Sequence, residues 1–228
     1  MTRSGGAIFE CRPGQPAGAH PGICIQALVP RTWFRPLVLA GLTALIALNW
    51  SCGTVKDICN CLPYEPDIAD YRHAAKHVPL PNTTPVEISV ATILSWPQTP
   101  ILPPTAPRFG RELQLFHVAQ AYLQNASINT ADCDIHMEIS ATSDRKAPRV
   151  VIETPVDAEY CTARKNIQQQ LAQHGFTLDY THGGDLPQAL PAQVTGLAFE
   201  DFEHPQSRGS PEVATLWELH PAIVTLAP

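Results

Sequence analysis

Positive charge is scarce in this chain. Of 228 residues only 15 are Lys or Arg, against 21 Asp or Glu, which gives a formal net charge of −6, and no block of basic residues occurs. Proteins that hold a phosphate backbone without reading sequence do so with clustered cations that release its counterions, so non-specific nucleic-acid binding is disfavoured. Long apolar runs are also lacking. The main one, Leu37 to Leu48, is short for a membrane-spanning helix and has the length of a signal-peptide core. Missing too are a Gly-x-Ser-x-Gly elbow, a phosphate-binding glycine loop and a His-Glu-x-x-His helix, so the familiar signatures of several catalytic classes do not apply.

What is abundant is proline and cysteine. The 23 prolines mark long stretches outside regular structure, and the length fits one ordinary domain with a substantial extension. The seven cysteines (Cys11, Cys24, Cys52, Cys59, Cys61, Cys133 and Cys161) are spaced too irregularly to define a disulfide framework alone.

Composition divides the chain into four parts: a leader of uncertain status (1–30), a signal-like segment (31–52), a proline-rich tether (53–110) and a β-barrel domain (111–228). The signal-like segment begins with Arg31 and Arg35, continues through the apolar run and closes on Asn49-Trp-Ser-Cys52. A small residue before a cysteine here resembles a bacterial lipoprotein signal, which implies lipidation at Cys52, although Asn49 and Trp50 depart from that pattern. Soluble export is the alternative. Because a basic n-region normally lies close to the initiator, Val29 is a candidate start in place of Met1. The expected location is the cell envelope of a bacterium, lipid-anchored or secreted.

Within the tether, Cys59-Asn-Cys61 and His73-Ala-Ala-Lys-His77 superficially resemble a zinc finger, but the cysteines are too close and the apolar positions of a finger are absent. Thr84 to Ser95 reads as a short helix with Val90, Ile93 and Leu94 on one side.

The barrel domain reads strand, strand, strand, helix, strand, strand. The expected strands cover 112–123, 133–141, 149–154, 193–202 and 215–226, with Gly196 marking a bulge or close backbone approach and Pro221 a bend. The expected helix runs from Asp157 to about Gln173, with Tyr160, Ala163, Ile167 and Leu171 inward and Gly175 as terminator. This order is that of the oligonucleotide/oligosaccharide-binding (OB) barrel, in which one helix sits between strands three and four. The predicted fold class is therefore mainly β, a small five-stranded OB-like barrel.

The stretch Asp132-Cys-Asp-Ile-His-Met-Glu-Ile139 puts Asp134, His136 and Glu138 on one face of strand two, with Ile135, Met137 and Ile139 opposite. Glu218 and His220 alternate likewise on the last strand. Asp134, His136, Glu138, His204, Glu218 and His220 are thus candidate ligands for a divalent metal of the zinc, manganese or iron class. The competing reading, which is favoured, is a structural network in which His136 and His220 are satisfied by Glu218, Asp134 or Glu153. If a metal is held, Glu138 or Glu218 is the candidate general base of a hydrolase; otherwise the chain is a binding or structural module of unknown ligand. Cys133 and Cys161 either form a disulfide from strand two to the helix or stay as buried thiols. Trp217 and Phe199 are candidate stacking surfaces if they face outward and core residues if they do not. The sequons at Asn82 and Asn125 are read as accidental behind a bacterial leader.

Asp132-x-Asp-x-His136, Val151-Ile-Glu-x-Pro155, Cys161, Val194-Thr-Gly-Leu-Ala-Phe-x-Asp-Phe202, His204 and Glu218-Leu-His-Pro221 together resemble a family of uncharacterised bacterial exported proteins, from about Pro85 to the C-terminus. The resemblance implies an export signal and attaches no activity, cofactor or protein partner.

Overall fold

The computed structural model describes residues 57–60, 71–202 and 210–227. The expected leader, the signal-like segment with Cys52, and Cys61 and His204 lie outside the described residues.

Five strands close into a barrel. These are β2 (Leu115–Ile128), β3 (Ile135–Ser140), β4 (Arg149–Thr154), β5 (Gly184–Glu200) and β6 (Trp217–Leu226), hydrogen-bonded in the ring β2-β3-β4-β6-β5 and back to β2. All neighbours are antiparallel except β4 and β6, which run parallel with Ile152 opposite Leu219. A helix, α3 (Cys161–Gln173), follows a 3₁₀ turn at Ala158–Tyr160 and sits between the third and fourth barrel strands. The architecture is the OB-like barrel expected from the element order.

Alternation along each strand fills the core. On β3, Ile135, Met137 and Ile139 point inward, and on β4 Val150 and Ile152 do; all are fully buried with Leu219 of β6. Removing an aliphatic side chain of this size from water contributes roughly 1.5–3 kcal/mol each, and this outweighs the cost of ordering a short strand only because neighbouring strands share the core.

Two strands are longer than the residue pattern suggested. β2 runs to Ile128 because it pairs with both β3 and β5, with a register shift at Leu123/Asn125 in each pairing. The buried Gln124 at that irregularity donates through Nε2 to Ser140 Oγ at 2.8 Å, Thr142 O at 3.2 Å and Asp144 O at 3.1 Å. β5 starts at Gly184 despite Pro187, because residues 186–189 fall in the gap of the β2 register, where a missing N–H breaks no ladder bond. Gly196 meets both expectations for it: the β5–β6 register shifts between Gly196 and Ala198, and a Cβ there would lie 2.6 Å from that of Ala222. β6 stays continuous through Pro221, with the register shift beside it and a cis His220–Pro221 peptide.

On α3 and the turn that leads into it, Tyr160, Ile167 and Leu171 are buried as expected, but Arg164 rather than Ala163 completes the inner stripe. Its guanidinium donates to the carbonyls of Ile58, Thr154 and Cys133 at 2.7–2.8 Å. Gly175, at φ +75°, ends the helix as expected. Asp157 makes no side-chain cap and is used elsewhere.

The expected tether is not one over residues 71–110. That stretch packs on the barrel as α1 (His73–Lys76), β1 (Val86–Glu87), paired parallel to β2, and α2 (Val90–Leu94), whose Val90 and Ile93 are fully buried in the core. Irregular backbone can be buried when its polar groups find partners. Here arginines supply them. Arg72 forms a bidentate pair with Glu112 (2.6 and 2.8 Å) and donates to the carbonyls of Ala106 and Pro107. Arg108 donates to the carbonyls of Ala75, Glu112, Ala198 and His220, and Lys76 pairs with Asp201 at 2.9 Å.

The cysteine pairing also differs from expectation. Cys161 bonds to Cys59, with Cα atoms 5.1 Å apart and 102 residues between them, and Cys133 is disulfide-bonded to a partner other than Cys161. The expected pairing took the region before residue 111 to be detached, whereas its docking puts Cys59 at the start of α3. This also removes Cys59 from any zinc-finger arrangement.

Candidate metal centre

The outer face of β3, β4 and β6 carries a row of acids and histidines. The strand parity that sends Met137, Ile152 and Leu219 inward sends His136, Glu138, Glu153, Glu218 and His220 outward. The outer face is nevertheless dry: Glu138, Glu153, Glu218 and His220 are all buried, with His77 and Arg108 of the covering segment against His220 and with Arg149 and Ser210 over Glu138. Phe199 of β5 faces the same way and packs with Tyr71 and Ala75, under the cations of Arg72, Lys76 and Arg108 at 4.8–5.6 Å from its ring centre. Trp217 is in the core, its Nε1 donating to Pro97 O. Neither ring offers a free stacking surface.

His220 is the hub. Its Nδ1 lies 2.9 Å from Glu153 Oε2 and 3.2 Å from Glu218 Oε1. Its Nε2 faces Asp134 Oδ2 at 3.2 Å, in an alignment that makes no hydrogen bond. His77, the residue that caps α1, approaches from the covering segment. Its Nδ1 lies 2.6 Å from Asp157 Oδ2, and its Nε2 lies 3.8 Å from the same Asp134 Oδ2. Asp134 is anchored by its other oxygen, Oδ1, which accepts from Val156 N at 2.9 Å.

Three buried atoms therefore point at one another without a hydrogen-bond partner: His77 Nε2, Asp134 Oδ2 and His220 Nε2. They lie within 4.8 Å of one another. Two ligands each about 2 Å from a common ion are at most about 4 Å apart, a limit met by the 3.2 and 3.8 Å separations. The nitrogens not aimed at this point are both held by carboxylates, which fixes the ring orientation as at metal-bound histidines; burial opposes it, but Asp134, Glu153 and Glu218 hold the His220 pKa well above its usual range, so an ion would bind there by displacing the proton on Nε2. Glu153, Glu218 and His220 form a second convergent group, but there His220 Nδ1 is already paired with Glu153 and hydrogen-bonded to Glu218, so it needs no ion.

The remaining predicted residues form an adjoining network. Glu153 Oε1 lies 3.0 Å from His136 Nδ1, so one carboxylate serves both imidazoles. Glu138 accepts from Arg149 (2.9 Å) and from the backbone and hydroxyl of Ser210 (2.8 and 2.6 Å), with His136 Nε2 at 3.6 Å. Burial alone would lower the pKa of His136, but the nearby carboxylates of Glu138, at 3.6 Å, and Glu153, hydrogen-bonded at 3.0 Å, outweigh that and raise it to about 10. Burial likewise opposes the shift at Glu153, where His136 and His220 hold the carboxyl well below its usual range. Glu218 and Asp132 both rise to about 7, through burial first and then the charge of Glu153.

Of the six residues singled out in the sequence, Asp134 and His220 belong to the convergent group, Glu218 orients His220, His136 and Glu138 lie beside it, and His204 is outside the described residues. His77 and Asp157 were missed as site residues. The signal for the first was the His-x-x-x-His spacing of His73 and His77, whose rings stack at 4.0 Å; it was assigned to a tether. Two imidazoles and one carboxylate leave coordination positions open, the donor set of zinc, iron(II) or manganese sites that exchange ligands.

Comparisons with models of known families, with curated proteins and with solved structures find no match for this chain. The resemblance to an exported bacterial family gains no support from them. The class defined by fold is a closed five-stranded barrel of OB-like topology.

Proposed function

We propose that this protein is an exported metal-binding module that holds one divalent cation of the zinc or iron(II) class through His77, Asp134 and His220. The observation that carries this reading is the convergence of three buried ligand atoms that make no hydrogen bond, in which the His220 Nε2–Asp134 Oδ2 contact at 3.2 Å is the only close pairing and His77 Nε2 stands 3.8 Å from the same oxygen. Export is supported by the disulfides at Cys59–Cys161 and Cys133, because such bonds persist in oxidising compartments. Lipidation at Cys52 and attachment to the bacterial cell envelope, with the membrane as partner and no nucleic-acid ligand, complete the reading.

The open coordination positions favour a second reading, a metal-dependent hydrolase. A bound ion there would supply acidity to a coordinated water. In that case the ligands are His77, Asp134 and His220, and the expected pairing of His136 with His220 gives way to a supporting role for His136.

The test is metal content. Protein stripped with chelator, then equilibrated separately with zinc and with iron(II) under argon and desalted, is expected to retain one equivalent by plasma mass spectrometry, and His77→Ala is expected to retain none. Wild-type protein that keeps neither metal overturns the proposal, as does a folded His77→Ala variant that keeps a full equivalent.

A further inference from the structure

A second site lies on the covering segment. Between α1 and residues 104–113 the structure has a cleft of about 750 Å³, a size typical of small-ligand pockets. Its wall is mostly apolar, with four prolines (Pro79, Pro81, Pro104 and Pro107), Val78, Leu197 of β5, and Leu113, which is 65% exposed although it is a large aliphatic residue. Such a wall attracts an apolar chain, because removing its CH₂ groups from water is favourable.

The polar groups of the cleft are unequal in sign. Arg72, Arg108 and Glu112 line it, and the Arg72–Glu112 pair is closed on itself with two short hydrogen bonds. Arg108 feels the carboxylates of Glu112 and Glu218 through space but is hydrogen-bonded to neither. Among the described residues its four hydrogen bonds all go to neutral carbonyls, of Ala75, Glu112, Ala198 and His220, and none to a carboxylate. A guanidinium has five N–H donors, so one remains. It sits in a largely desolvated place, where a charge-assisted hydrogen bond is strong.

We infer that this cleft binds a single-chain amphiphile, its carboxylate on Arg108 and its hydrocarbon chain along the proline, valine and leucine wall. The pairing of a guanidinium that makes no hydrogen bond to a carboxylate among the described residues with an apolar trough selects an anionic head and a hydrophobic tail in the same molecule. A neutral chain forgoes the ionic bond. A small anion forgoes the wall.

The probe is dodecanoate, titrated calorimetrically into the oxidised full chain below its micelle concentration, with dodecanol and dodecylammonium as controls. Saturable binding of dodecanoate at one equivalent is expected, with the alcohol and the ammonium at least about tenfold weaker, the factor expected for a lost charge-assisted hydrogen bond. Arg108 holds four carbonyls, so its removal risks the fold; the informative variant is Leu113→Asp, which changes an exposed side chain and puts a like charge at the cleft. It is expected to weaken dodecanoate at least about tenfold while leaving the circular dichroism unchanged. No saturable binding to the wild-type chain, equal binding of either control, or undiminished binding to folded Leu113→Asp overturns the inference.

Discussion

Glu153 and His220 meet on adjacent parallel strands, Oε2 to Nδ1 at 2.9 Å, while the other oxygen of the same carboxylate holds His136 at 3.0 Å. One buried acid thus sets the charge state of two imidazoles. Replacing it by a neutral amide of the same shape is the sharpest perturbation available: Glu153→Gln is expected to lower the His136 pKa from about 10 toward the ordinary imidazole value and to cost roughly 3–5 kcal/mol, as when one member of a buried pair is lost. Histidine titration by NMR and urea denaturation check the two effects.

Metal binding is expected to stabilise the folded chain by mass action, by about 2.7 kcal/mol at a free concentration one hundred times Kd. The thermal midpoint of stripped wild-type protein should therefore rise as zinc is added. For His77→Ala it should stay flat, from a metal-free midpoint lower than that of the wild type because the substitution also removes the Nδ1–Asp157 contact at 2.6 Å and the ring stacked on His73.

Asp157 touches the centre only through His77 Nδ1, at 2.6 Å. Asp157→Asn is expected to weaken metal affinity about 10–100-fold, the usual cost of removing an orienting carboxylate, without changing the stoichiometry at saturation. Competition against a chromogenic chelator reads the affinity, and a stoichiometry below one would contradict an orienting role.

Acid should unfold this protein partly through Glu138. Burial would raise its pKa, but the nearby charge of His136 and the hydrogen bonds from Ser210 and Arg149 prevail and lower it from its ordinary value. A carboxyl lowered on folding contributes stability that is present above its unfolded pKa and is lost as pH falls through the folded one. Urea midpoints measured downward from pH 6 should fall below about pH 4.5, and Glu138→Gln, less stable at neutrality, should lose less over the same range.

Reduction offers an independent handle on the covering segment. Cys59→Ala is expected to destabilise the chain by about 2–5 kcal/mol, since the bond it breaks closes a span of 102 residues. A loss under about 1 kcal/mol in chemical denaturation would show that the segment is held without it.

The barrel was legible because its information is local. Alternation of Ile135, Met137 and Ile139 with His136 and Glu138 declares a strand with one buried face, and the order of strands around α3 limits the topology. Two things were illegible. The polar face of β3 and β6 suggested a network of histidines and acids, but not what covers it: residues 71–112 lie over His220, and Arg149 with Ser210 closes over Glu138. Prolines hid that docking: a proline-rich stretch reads alike whether it floats or packs, and the difference lies in Arg72 and Arg108, which satisfy carbonyls far away along the chain. His77 was invisible as a ligand for the same reason, because nothing near it in sequence records that Asp134 and His220 lie opposite.

The covering segment has a consequence for how the molecule can be divided. A fragment begun at Arg111, where composition changes, would keep all five barrel strands but lose His77, the cations over Phe199 and the side chains of Val90 and Ile93 from the core. Such a fragment would present Glu218 and His220 to water. The folding unit and the ligand set share their boundary, and it falls upstream of residue 71, within what the composition marks as a linker.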